Sequence, residues 1–256
     1  MTVIVQHMEK TNIKIMNMKK LNTLLSTLLL VVITTSCTFA QKKEFTNKTY
    51  PIQSFTSVEF DAVGNIIYTQ SNNVSVRAEG DKDMVDRLRV IEKNGELKIE
   101  LDAKLRRKAK KNLTIYISSP VIENIEVDGV GNWTMKGLVK ADNLVIDFEG
   151  VGNFEALELQ TNSIKASCEG VGNLKLGGTT DLIEITSEGV GSINSQNLIA
   201  KHAVIRSSGV GSVKCYASES IDVTNNGVGS ITYYGNPEVK NMNNSGIGKI
   251  QCVEVR

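Results

Sequence analysis

Gly129-Val130-Gly131-Asn132 is the phrase that decides the fold. It returns at Gly150, Gly170, Gly189, Gly209 and Gly227, and ends as Gly246-Ile247-Gly248-Lys249. The steps between first glycines are 21, 20, 19, 20, 18 and 19 residues. A diverged forerunner, Ala62-Val63-Gly64-Asn65, lies well upstream. A period near twenty is the mark of a solenoid, in which each repeat is one unit stacked on the next.

Numbering each copy from its first glycine lines up columns. Four residues on stand Trp133, Phe154, Leu174, Ile193, Val213, Ile231 and Ile250. Six on stand Met135, Ala156, Leu176, Ser195, Cys215, Tyr233 and Cys252. Four before stand Ile125, Ile146, Ala166, Ile185, Ile205, Val223 and Met242. Within a segment these positions differ by two, so each set shares one face of a strand. Stacked about 4.8 Å apart, they predict continuous core columns. The expected fold is all-β, a right-handed β-solenoid of about seven rungs with two main strands each. The paired glycines fit a bend that every rung must make, and the Val between them is expected to point inward and pin it. Asn132, Asn153 and Asn173, followed by Ser192, Ser212 and Ser230, predict a hydrogen-bonded ladder that stops at Lys249.

Working outward, residues 50–128 read as less regular strands that cap one end, with 129–256 as the regular repeats. Val74 to Ala78, Leu97 to Leu101 and Leu113 to Ile117 alternate as half-buried strands do. Asn94-Gly95 is a hairpin turn signal. Asp81 to Arg89 has helical spacing, with Met84, Val85 and Leu88 on one face. Residues 41–49 read as a polar leader. Residues 1–40 read as an upstream extension followed by an export signal: Met18-Lys19-Lys20, then an apolar run from Leu24 to Ile33 too short for a comfortable membrane span. Cleavage after Ala40 and a lipidated Cys37 are both open readings. Removing residues 1–40 leaves 25 basic and 27 acidic residues, so nothing draws the chain broadly to nucleic acid or acidic membranes.

These phrases and their flanks resemble the head GIN domain family, described as putative auto-transporter adhesins. The earlier pieces fit too, from Ser54-Phe55 to Asn65-Ile66 and from Ile115 to Gly129. The resemblance covers about residues 50–256. It implies a β-solenoid at the cell envelope or surface, in the periplasm, on the outer membrane or outside the cell, and brings no catalytic residues.

Candidate contact patches are two. Lys104, Arg106, Arg107, Lys108, Lys110 and Lys111 make a basic stretch that reads as a solvated loop or as a patch for an anionic glycan, a lipopolysaccharide phosphate or nucleic acid, without the interleaved aromatics that base stacking needs. Asp128, Glu149, Glu169 and Glu188 precede successive glycines and predict an acidic column about 4.8 Å in pitch, which reads as a solvated face, a cation-responsive stripe or a catalytic pair. His202 is expected to stand alone. Cys168, Cys215 and Cys252 are expected as three buried free thiols. Neither a G-x-G-x-x-G nor a Walker pattern is present, and a calcium nonapeptide spacing is missing. No cofactor, metal or nucleic acid is expected. The function expected is a non-catalytic binding module for a cell-surface glycan or protein, adhesin-like, with the membrane reached only through an N-terminal lipid and with end-to-end or side-by-side homo-oligomers where the open end is not blunted by Asn241, Asn243 and Asn244. A ligand-free structural solenoid and a polysaccharide-cleaving β-helix are the alternatives.

Overall fold

In the computed structural model, residues 44–102 and 112–253 are described. They form a β-solenoid of about six turns. The regular rungs are β9 (Val130–Lys136) with β10 (Val139–Phe148), β11 (Val151–Cys168), β12 (Val171–Ser187), β13 (Ile193–Ser207), β14 (Val213–Asn225), and β15 (Ile231–Tyr234) with β16 (Glu238–Asn244). A partial rung, β17 (Ile250–Val253), follows, so the expected seven rungs are six and a fragment. Every pairing between successive rungs is parallel and in repeat register: Trp133, Phe154, Leu174, Ile193, Val213, Ile231 and Ile250 are lateral partners in turn.

Each rung has three faces rather than two. In β11 the buried residues run Phe154, Ala156, then Leu159, Thr161, then Ile164, Ala166, Cys168. The alternation skips a residue twice, and each skip is a corner. The third corner is the Gly-Val-Gly phrase. There the first glycine occupies the inside of the bend and the Val side chain turns out. Val130, Val151, Val171, Val190, Val210 and Val228 are 46–52% exposed and Ile247 is 74% exposed. The expectation that this column pins the core is thus overturned. The tight bend leaves no interior volume, and Val is an odd number of residues from the inward position four on from the glycine.

Two glycines per corner are a steric requirement. A Cβ on Gly172 would lie 1.6 Å from the carbonyl oxygen of Gly152, the second glycine of the rung before, at a φ of +155°. A Cβ on Gly170 would lie 2.1 Å from the oxygen of Gly150. The same carbonyl stack carries the corner hydrogen bonds, such as Val171 N–H to Gly150 O at 2.9 Å and Val190 N–H to Gly170 O at 2.9 Å.

The forerunner phrase is a true rung. β2 (Ser57–Asp61) pairs in parallel with β8 (Asn124–Val127), and β3 (Asn65–Gln70) with β9. Val63 bridges Val130, and Gly64 N–H donates to Val130 O at 2.9 Å. Residues 71–123 are therefore an excursion between two adjacent rungs. It adds a further layer, β6 (Glu96–Leu101) beneath β2 and β7 (Leu113–Ser119) beneath β3. Antiparallel strands then end the stack. β4 (Ser75–Asp81) pairs with β7, and β1 (Phe45–Tyr50), expected as a loose leader, pairs with β4. β5 (Leu88–Lys93) pairs with β6 through a two-residue turn whose Asn94 and Gly95 have φ of 56° and 82°. The short helix α1 (Lys82–Arg87) buries Met84 and Val85 in the same region. The opposite end differs. In β16 every residue is exposed, Met242 among them, because no further rung covers it among the described residues. Cys252 is exposed for the same reason, whereas Cys168 and Cys215 are buried free thiols as expected.

Gly172→Ala is expected to destabilise the fold by about 3 kcal/mol or more, from the sum of strain and overlap. Gly137→Ala, at φ +73° with open space around the site, should cost only about 1 kcal/mol. Chemical denaturation of the two variants separates a steric requirement from a dihedral one; equal losses would refute the carbonyl contact.

Candidate functional site

Three surface features repeat along the stack. The first flanks the glycine corner. Asp128, Glu149, Glu169 and Glu188 occupy consecutive rungs and are exposed, as the repeat spacing predicts. A second acidic column, not noticed in the sequence, lies beside it: Glu59, Glu126 and Asp147 are register partners on consecutive rungs. Its signal was an acid two residues before Asp128 and Glu149. Four of these carboxyls, Glu126, Asp128, Asp147 and Glu149, are held above the ordinary carboxylate range. Burial is the main cause for Glu126, Asp128 and Asp147, with neighbouring carboxylates adding to it. For Glu149 the Asp128 charge is the main cause. Lys98 offsets the patch at its lower edge, 2.6 Å from Glu59 and 3.4 Å from Glu100. Among the described residues, no group of three or more His, Cys, Asp or Glu side chains is placed to hold a metal ion. The basic stretch, Lys104 with Arg106, Arg107, Lys108, Lys110 and Lys111, lies outside the described residues. So does Cys37.

On the far side of the valine column runs the amide ladder. Asn132 Nδ2–H donates to Asn65 Oδ1 at 3.3 Å, Asn153 to Asn132 at 2.9 Å, and Asn173 to Asn153 at 3.0 Å. Ser192 N–H donates to Asn173 Oδ1 at 3.2 Å, and Lys249 N–H to Ser230 Oγ at 3.3 Å.

The second feature is a small polar cluster. His202 Nδ1 is 2.9 Å from Ser220 Oγ, and Nε2 is 3.6 Å from a Glu219 carboxylate oxygen. His202 is therefore not alone, as the sequence suggested. The Glu219 separation is an ion-pair distance and not a hydrogen bond, and His202 and Glu219 are about half exposed.

The third feature is a groove of about 800 Å³ that crosses the rungs at another corner. Its floor is a column of small residues in register: Ala141, Thr161, Thr180 and Ala200. One wall is Lys140, Gln160, Thr179 and Ile199, and the other is Asp142, Asn162, Asp181, Lys201 and Glu219. Short floor side chains between longer wall side chains make the concavity. Thr161 Oγ1 and Thr180 Oγ1 are 2.9 Å apart, and Thr180 Oγ1 also lies 3.1 Å from the Leu182 carbonyl oxygen, so these buried hydroxyls are partnered within the protein. The walls carry mixed charge, with Lys201 Nζ 2.6 Å from Asp181 and Asn162 Nδ2 3.2 Å from Asp142. Sequence columns missed the floor because the bulges between Ala156 and Leu159, and between Lys175 and Gly177, vary the distance from the glycine.

A parallel β-solenoid with a capped start, a glycine corner and a lateral groove is the class defined by this geometry. The chain belongs to the family described as putative auto-transporter adhesin, head GIN domain, which matches residues 54–237. It is similar to a crystal structure of a putative adhesin from Bacteroides fragilis, with 34% identity, a TM-score of 0.78, and coverage of 83% of this chain and 98% of that one. A putative lipid binding protein from Parabacteroides distasonis shares the fold at 19% identity and a TM-score of 0.64, covering 84% and 98%. A putative adhesin from Parabacteroides merdae does so at 19% and 0.56, with the same coverage. No curated protein sequence matches the chain. No helix among the described residues is long and apolar enough to cross a membrane.

The raised carboxylates bind protons more tightly folded than unfolded. Stability from this patch is therefore greatest at low pH and falls as pH rises from the ordinary carboxylate range through the folded values. Glu149→Gln is expected to raise Tm at pH 7, to leave it nearly unchanged at pH 4, and to lose most of its effect in high salt. Thermal melts at the two pH values check this; a Tm at pH 7 lower than wild type would contradict it.

Proposed function

We propose that this protein is a non-catalytic binding module exported to the cell envelope, where it holds an extended glycan chain in an adhesin-like manner. The observation that carries this is the groove. It keeps small residues on its floor and mostly polar or charged residues on its walls over consecutive rungs, at one strand spacing, which suits an extended chain. Its walls offer hydroxyls, amides, the exposed alkyl group of Ile199 and both signs of charge; sugar rings present the same mixture of polar edges and C–H faces. Polar walls of this kind suit a glycan better than a bare acyl chain, because buried donors without partners would weigh against the latter. The descriptions of the Bacteroides and Parabacteroides relatives as putative adhesins support a binding role. The apolar stretch from Leu24 to Ile33 supports export, with Cys37 or the position after Ala40 as the mature start. The basic residues from Lys104 to Lys111 would serve as a secondary contact for anionic partners.

The reading is tested on a glycan array, with binding constants measured for whichever glycan is retained. Thr179→Trp places an indole on an exposed groove wall without entering the core, and is expected to weaken retention at least tenfold. Absence of any retained glycan, or retention unaffected by Thr179→Trp, would overturn the proposal.

A further inference from the structure

Past Val63, which packs against the core, the valine column at the glycine corner lines neither the core nor the groove. It is continuous: Val63, Val130, Val151, Val171, Val190, Val210, Val228 and Ile247 are bridge partners from rung to rung. Seven of the eight are about half exposed or more. Thr has the same shape and the same preference for extended backbone, so a corner that needed only β-branching would accept it. All eight positions are nonetheless Val or Ile. The repetition singles out apolar character on an outward surface, which is how contact sites differ from ordinary exposed surface.

The flanks say what that contact is. On one side stand Asp128, Glu149, Glu169 and Glu188, which have no ion-pair partner among the described residues. On the other stand Asn132, Asn153 and Asn173, then Ser192. Each of these amides gives one N–H to the rung before. Its second N–H makes no hydrogen bond among the described residues. Acceptors therefore line one edge of the apolar row and free donors line the other, at one pitch.

We propose that two copies of this chain associate side by side through the valine column, about a two-fold axis parallel to the solenoid axis. That operation sets the carboxylate column of each copy against the Asn and Ser column of the other, rung for rung, and keeps these four carboxylates off one another. A second copy also has the one pitch guaranteed to match, so the Val side chains stay in step over six rungs. An anionic bilayer would meet the four carboxylates and is disfavoured. The strip is roughly 29 Å long and 13 Å wide, or about 400 Å² per copy, from strand spacing and rise. That is small for a specific interface, so the dimer should dissociate in the micromolar range.

Sedimentation velocity across about 5 to 500 µM reads this directly. The wild-type protein is expected to pass from monomer to dimer within that range. The triple variant Val151→Thr, Val171→Thr and Val190→Thr keeps the shape of the corner and should weaken association at least tenfold, with an unchanged circular dichroism spectrum. Geometry is read by a short bismaleimide in a Cys252→Ser background, where the remaining described thiols are buried. Val151→Cys and Val228→Cys should each cross-link to themselves. Monomer throughout, or cross-links only when the two cysteine variants are mixed, would overturn the proposal.

Discussion

The contact between stacked glycine carbonyls at one corner sets the rest of the structure. Each rung can approach its neighbour at the bend only because both corner residues lack a Cβ; the oxygen of the preceding glycine occupies that space. With the bend fixed, the strands on either side fall into parallel register, and like side chains are carried over like. The aromatic stack of Trp133 on Phe154, with ring centroids 6.0 Å apart and planes within 10°, is one result. The Asn ladder is another, since an amide can reach its copy only when the backbone repeats at strand spacing.

The same regularity explains how this fold makes surfaces. A side chain that points outward in one rung points outward in all of them, so a single residue preference becomes a line. Carboxylates become a charged column, valines become an apolar ridge, and small residues become the floor of a groove. Surface chemistry on such a scaffold therefore runs in lines of residues rather than in a compact constellation.

Most of the stacking could be read from the chain. The glycine period, the inward columns at Trp133 and Ile125, the Asn ladder and the Asn94-Gly95 turn all express local rules that tertiary contacts then reinforce. The outward turn of the valines was legible too, because each lies three residues before the inward position held by Trp133, Phe154 and Leu174, and alternation puts such a residue on the opposite face; the expectation that a residue between two glycines pins the bend from inside ran against that parity. The groove was hidden: its floor residues lie beyond bulges of varying length, so they share a column in space but not a fixed offset in sequence. Cys252 and Met242 obey the column rule but sit on the last described rung, where obedience does not bring burial. The excursion from 71 to 123 separates Val63 from Val130 in sequence while leaving them adjacent in space, a relation that period alone does not contain.

That last adjacency is the most exposed part of the account. Spin labels placed at Val63 and Val190, in protein diluted with unlabelled copies to suppress intermolecular terms, measure it by pulsed dipolar spectroscopy. Four rung steps separate these positions, so backbone separation should be about 19 Å, with label linkers adding a few ångströms of spread. A distance distribution centred beyond about 35 Å would mean that the forerunner phrase is not the rung beneath Gly129, and that the stack does not begin where the shared corner geometry places it.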